Sequence, residues 1–245
     1  MKYTQRYTVK WHDTDANSLL TPSNLIMYME ETSNRHLIDA GMSLDDLRDQ
    51  KGLAFLLSRI AIRIYQSLYA EDEIRVETWV CESRGLSFVR CVRVLRGGAV
   101  TAEAYSVWAL MDLHAKKLLP ATAFPYQIES ELPLGPTLSA RVRFPSVSRM
   151  ECVGHRRIVY SDIDYNGHMN NTKYPNMLCD FTPDIRGKEV VGITLSFLHE
   201  AAFDHELAVY RCPTDGGYCF RTVDGDGTVC LEAMLLTEPL SDVVP

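Results

Sequence analysis

The segment YSDIDYNGHMNNTKYPNML, beginning at Tyr160, places a carboxylate, a carboxamide and an imidazole at alternate positions: Asp164, Asn166 and His168. Imidazole is the side chain whose ordinary pKa lies nearest neutrality, so His168 is the natural base or proton shuttle of the set. Asn166 can hold a carbonyl or a water, and Asp164 can fix the loop or polarise its neighbours. Gly167 brings backbone close to a ligand without a Cβ in the way. Asn170 and Asn171 stand where the chain enters a helix, an end whose free amides and dipole favour developing negative charge. Together these groups suit proton transfer at a centre that develops an oxyanion. Asp162 reads instead as a turn cap, a common use of aspartate in loops.

The motif is written twice. Set over WHDTDANSLLTPSNLIMYMEE, beginning at Trp11, it brings Asp13 onto Asp162, Asp15 onto Asp164 and Asn17 onto Asn166, a shift of 149 (162 − 13). A second block, RIAIRIYQSLYAEDEIRVE from Arg59, lies over GITLSFLHEAAFDHELAVY from Gly192 with a shift of 133 (193 − 60). Two blocks repeated in the same order indicate a duplicated domain. The difference between the shifts is absorbed after the first helix, where IDAGMSLDDLRDQKG has no counterpart in the second copy.

The elements that must position these residues also recur. Each copy begins with a short strand (YTVKW; HRRIVY) that leads through the acidic motif into a helix. In the first copy Pro22 and Ser23 open the helix, Leu25, Met29, Thr32 and His36 recur at helical spacing, and Gly41 closes it. In the second copy Asn170 or Asn171 caps a shorter helix with Pro175 in its first turn. Four β-rich stretches follow in each copy, rich in Val, Ile, Thr and aromatic residues, with turns at Gly97-Gly98, Gly216-Gly217 and Asp224-Gly225. We place the first copy at residues 1–130, a linker at 131–150 and the second copy at 151–245.

Composition narrows the field. Of 245 residues, 46% are hydrophobic and 23% charged, values of an ordered globular chain. No apolar run is long enough for a membrane span, and no signal-peptide pattern opens the chain. The seven cysteines are odd in number and lack C-x-x-C spacing, which points to reduced thiols in a cytoplasmic setting. No His, Cys or carboxylate set has metal spacing, so no metal or other cofactor is expected. The net charge of −7 argues against broad nucleic-acid binding. The histidines outside the motif, His12, His36, His114, His155, His199 and His205, read as surface or core residues.

The run Asp164, Asn166, His168, Asn170, Asn171, Lys173 and Tyr174 resembles the D-x-N-x-H-x-N-N-x-K-Y signature of plant-type and bacterial acyl–acyl carrier protein thioesterases. The resemblance extends to LSFLHEAAFDHEL, where Glu200 matches the family's catalytic glutamate. It extends more weakly to SVWALMDLHAKKLLP. It implies an α+β tandem hotdog fold, each half a helix wrapped by an antiparallel sheet. It also implies hydrolysis of fatty acyl thioesters at Asp164, Asn166, His168 and Glu200. The family often carries Cys after the glutamate; here Ala201 excludes a cysteine nucleophile at that position.

A thiol leaves readily, so the tasks are activating water and stabilising an oxyanion. Glu200, expected on a strand, could orient His168 or activate water itself, and His199 would then face the other way. In the first copy Leu19 stands for His168 and Ser67 for Glu200, so one site per chain is expected. That leaves the first copy as scaffold and acyl pocket, with Leu25, Ile26, Met27 and Met29 as lining. Acylated acyl carrier protein is the expected partner, docking on Arg141, Arg143, Arg149, Arg156 and Arg157, with homodimerisation left open. The alternatives are an acyl-coenzyme A thioesterase, a hotdog dehydratase or hydratase, and a non-catalytic acyl-binding module.

Overall fold

The computed structural model describes residues 2–126, 128–135 and 142–240. The first half contains β1 (Tyr3–Thr8), a 3-10 turn at Trp11–Asp13, α1 (Pro22–Asp39) and α2 (Leu44–Lys51), followed by β2 (Leu53–Ile64), β3 (Glu73–Val80), β4 (Phe88–Arg96), β5 (Ala99–Asp112) and β6 (Lys117–Leu119). The second half contains β7 (Glu151–Arg157), 3-10 turns at Tyr160–Asp162 and Asn171–Lys173, and α3 (Tyr174–Asp180). It continues with β8 (Lys188–Phe197), β9 (Glu206–Thr214), β10 (Gly217–Val223) and β11 (Val229–Pro239).

The helix boundaries have local causes. Thr21 accepts the Asn24 N–H at 3.2 Å, Pro22 fills the first turn, and Gly41 takes φ +78° just past the end. Asn170 caps the second entry by accepting the Thr172 N–H at 2.9 Å, and Pro175 falls in the first turn of α3. The two entry strands lie earlier than their β-rich composition suggested, ending at Thr8 and Arg157. The chain then bends into 3-10 turns whose closing aspartates bind back to the backbone: Asp13 accepts Lys10 N–H and Asp162 accepts Val159 N–H.

Ten of the strands form one antiparallel path, β1-β3-β4-β5-β2-β8-β11-β10-β9-β7, with β6 on β5. The halves join where Ile60, Ala61 and Ile62 pair with Leu195, Thr194 and Ile193. Under the 133-residue shift Ala61 faces its own counterpart, so a pseudo-two-fold axis passes through that pair. Loop contacts repeat across the axis. Leu20 donates to Leu68 O at 2.7 Å and Met169 to Ala201 O at 2.8 Å. Leu19 bridges Tyr69 as His168 bridges Ala202.

α1 and α3 pack against this sheet as two hotdogs sharing a core. Leu25, Ile26, Met29, Tyr174, Met177, Leu178, Ile193 and Phe220 belong to one buried cluster. The helices also meet directly: Ser23 N–H donates to Asn176 Oδ1 at 3.4 Å and Asn176 N–H to Ser23 Oγ at 3.1 Å. The extra residues of the first half form α2, capped by Ser43, whose Leu47 packs with Leu37, Met42, Leu53 and Leu110. The stretch after β6 is held against the first half. Phe124 meets Phe55 and Phe88 edge-on, and Trp79 Nε1 donates to Leu132 O at 3.0 Å. Arg141 and part of the expected linker fall outside the described residues.

Candidate active site

Between β7 and α3 the chain makes a closed turn at Asp164–His168. Asp164 Oδ1 accepts the Asn166 N–H at 2.8 Å, and Gly167 N–H donates to Asp164 O at 3.0 Å. Asp164 N–H then donates to His168 O at 3.0 Å. Gly167 has φ +85°, a conformation that glycine reaches without Cβ strain. The turn is anchored by Asp162, which is buried and receives two 2.8 Å bonds from one Arg156 nitrogen. Asp162 is thus a structural group, as its turn-cap reading implies.

His168 and Glu200, distant in sequence, are brought together: Nε2 lies 3.0 Å from Oε2. The bridge between His168 and Ala202 places the two loops side by side. Glu200 does not lie on a strand. β8 ends at Phe197, and the chain leaves the sheet because Leu198 and His199 N–H both turn to Cys230 O. Strand alternation therefore does not separate His199 from Glu200, and both are exposed. Asn166 is exposed in the turn, with its backbone N–H held by Asp164 and its carboxamide making no hydrogen bond among the described residues. Asn170 is the helix cap that its position suggested: its side-chain oxygen accepts from Thr172 N–H at 2.9 Å and from the Thr172 hydroxyl at 2.7 Å.

The first half keeps the turn and lacks the imidazole and the glutamate. Asp15 Oδ1 accepts Asn17 N–H at 2.8 Å and Leu19 N–H at 3.1 Å. Leu19 is buried where His168 is half-exposed. Ser67, at the place of Glu200, donates to Glu189. A cavity of about 300 Å³ lies at this turn, lined by Leu19, Leu25, Ile64 and Leu68 of the first half and Cys179 and Val190 of the second. Of the expected acyl-lining group, Ile26 and Met29 are buried in the shared core, Met27 is 49% exposed, and Leu25 alone reaches the cavity.

Two residues of the first half were missed from sequence, and both stand at the second half's turn. Arg48 of α2 lies over the Tyr165 ring at 5.3 Å. Glu30 of α1 has Oε1 sealed from solvent without a hydrogen-bond partner. Burial, with Asp164 nearby, pushes its carboxyl up to about 7. The available signal was a carboxylate one turn beyond buried Ile26. Among the described residues no group of His, Cys or carboxylates could hold a metal ion.

A tandem of two hotdogs with a His–Glu pair at the second half's turn defines the class. The chain matches the acyl-ACP thioesterase N-terminal domain over residues 1–123 and the C-terminal domain over residues 151–221. It belongs to the acyl-ACP thioesterase family. It is similar to the chloroplastic acyl-[acyl-carrier-protein] hydrolase FATB2 of Cuphea viscosissima, 21% identical over 236 residues, 88% of this chain and 57% of the relative. A chloroplastic palmitoyl-acyl carrier protein thioesterase of Cuphea hookeriana is also 21% identical, and the match covers 56% of it. The chain thus spans a little over half the length of these relatives. In fold it is similar to an acyl-ACP thioesterase from Bacteroides thetaiotaomicron (TM-score 0.85, 23% identity, 97% and 98% of the two chains). It is also similar to the 12:0-ACP thioesterase from Umbellularia californica (TM-score 0.83, 16% identity, 98% of each chain).

Proposed function

We propose that the protein hydrolyses fatty acyl thioesters of acyl carrier protein, releasing free fatty acid and so ending chain elongation. The observation that carries this reading is the 3.0 Å pair between His168 Nε2 and Glu200 Oε2 at the second half's turn. A carboxylate accepting from Nε2–H fixes the tautomer that leaves Nδ1 bare. Nδ1 then takes a proton from the attacking water, and Glu200 steadies the imidazolium that forms. Asn166, in the same turn as His168, donates to the oxyanion, and Asp164 holds it through the turn. Residues 1–130 act as scaffold and acyl-binding half, and residues 151–245 carry the chemistry.

The choice of donor rests on family membership and on the names of the relatives. An acyl-CoA thioesterase of Haemophilus influenzae is 25% identical over half of this chain, which keeps coenzyme A esters as the second reading. Arg156 and Arg157 are already paired with Asp162 and Asp204, so exposed Arg143 and Arg149 are the better contacts for an acidic carrier. All seven cysteines are free thiols, which fits a reducing compartment such as the cytoplasm. The test is thiol release from carrier-linked and coenzyme A-linked acyl chains of graded length. Faster kcat/KM on the carrier supports this reading; hydrolysis of coenzyme A esters alone replaces it with the second.

A further inference from the structure

Glu30 has no role in the site described above, yet its surroundings call for one. It sits on α1, which packs against α3 and the 3-10 turn at Asn171–Lys173 of the other half. Its Oε1 is buried with no donor to satisfy it. An unpaired buried carboxyl is costly, and such groups are retained mainly where they hold strain, a bound partner or a reacting proton. The charged group acting on it is Asp164 of the second half's turn, while the adjacent Glu31 is engaged by Arg35 at 2.8 Å.

The pseudo-two-fold axis gives an internal control. Under the 149-residue shift the counterpart of Glu30 is Cys179, which is acted on by Asp15 of the first half's turn. Each helix therefore presents this position to the motif of the other half. Where the turn has His168 and Glu200, the facing position is a carboxyl. Where it has Leu19 and Ser67, the facing position is a thiol. Glu30 follows the two reacting groups and is absent from the half that lacks them.

Resting on the hydrolase reading, we propose that Glu30 is a catalytic acid entering from the first half, which protonates the thiolate as it leaves. Water adds to the carbonyl carbon and gives its proton to His168. The C–S bond then breaks, sulfur takes the proton of Glu30, and Glu30 regains one from solvent as His168 releases its own. An exposed glutamate is ionised at neutral pH and has no proton to give. Burial beside Asp164 keeps this one largely protonated up to about pH 7.

The experiment compares Glu30→Gln with the parent on an alkyl thioester and on an aryl thioester, whose thiol is acidic enough to leave unaided. Glu30→Cys, which installs the residue that occupies the matching position in the other half, guards against a folding defect. We expect both variants to lose about 10²-fold in kcat on the alkyl ester, the low end for acid catalysis, with much less loss on the aryl ester. The alkaline fall in the parent's alkyl-ester rate near pH 7 should vanish in Glu30→Gln. Equal losses on the two esters, or an unchanged rate, overturn the assignment. A parent protein that cleaves neither ester overturns the hydrolase reading itself and this inference with it.

Discussion

Ala61 of β2 and Thr194 of β8 are paired across the centre of the sheet and are also each other's counterparts in the repeat. The junction between the halves is thus a self-pairing of one strand with its duplicate. A symmetric dimer must alter both of its sites at once, whereas a covalent tandem can lose one and keep the other. Leu19, Ser67 and Cys179 stand on one side of the repeat where His168, Glu200 and Glu30 stand on the other.

His168→Ala and Glu200→Ala should each lower kcat by about 10²- to 10⁴-fold while thermal unfolding stays near that of the parent. Both side chains are partly solvated, and neither fills a core position. Steady-state thiol release alongside a melting curve checks this; near-parental turnover in both folded variants removes the site assignment.

Asp15→Ala should leave turnover largely intact and cost about 1–2 kcal/mol of stability, because two backbone N–H groups lose their acceptor. Asp164→Ala should cost comparable stability but abolish most activity, since it releases the turn that holds Asn166 and His168. Denaturant titration and kinetics on the same preparations separate the two effects. A folded Asp15→Ala as inactive as Asp164→Ala contradicts a single site.

Charge reversal at Arg143 and Arg149 should raise KM for a carrier-linked substrate severalfold and spare coenzyme A esters, with the shift shrinking at high salt. Reversal at Arg156 should instead destabilise the fold, because it strips buried Asp162 of its partner. Initial rates at two ionic strengths decide the first point. Equal changes for both donors reject a carrier-docking role.

Two buried groups should oppose each other in the pH dependence of stability. Burial lowers His36, next to Arg90, to about 4, so the unfolded chain binds the extra proton and stability rises from about pH 4 to 6.5. Glu30 is raised to about 7, so the folded chain binds the extra proton, and stability falls from about pH 4.5 to 7. Each spans at most about 3 kcal/mol, and over the shared window they cancel. Glu30→Gln should therefore make stability rise more steeply with pH between about 4.5 and 7 than it does in the parent. A slope unchanged from the parent's shows that Glu30 is not titrating as its burial requires.

Much of this architecture was legible because it depends on local pattern. The doubled D-x-D-x-N, the helix punctuated by Pro22 and Gly41, and the eight long strands all follow from spacing and turn chemistry. α2 was not legible, since Leu47 is its single buried residue and LDDLRDQK carries no apolar period. Glu200 was wrongly expected on a strand because nothing in LSFLHE marks the point where Leu198 and His199 turn together to Cys230 O. Of the two asparagines expected to cap the second helix entry, Asn170 is the one that does, through Thr172 two residues on. Glu30 was hidden for a tertiary reason: a glutamate on a helix reads as solvated, and the Asp164 that acts on it belongs to the other half.

The same central pairing bears on how the chain assembles. β2 carries a mainly apolar sequence from Leu53 to Ile64, and β8, the strand that covers its edge at Arg59–Arg63, comes long after it in the chain. Until β8 arrives, a finished first half offers an unprotected, largely apolar edge. Because the symmetry axis runs through Ala61, a second copy of that half can occupy the edge in the register β8 would use. Such a self-pairing would set Arg59 against Arg63 at both ends, whereas β8 places Ser196 and Gly192 opposite them, so the duplicated strand keeps the register and removes the like-charge contacts.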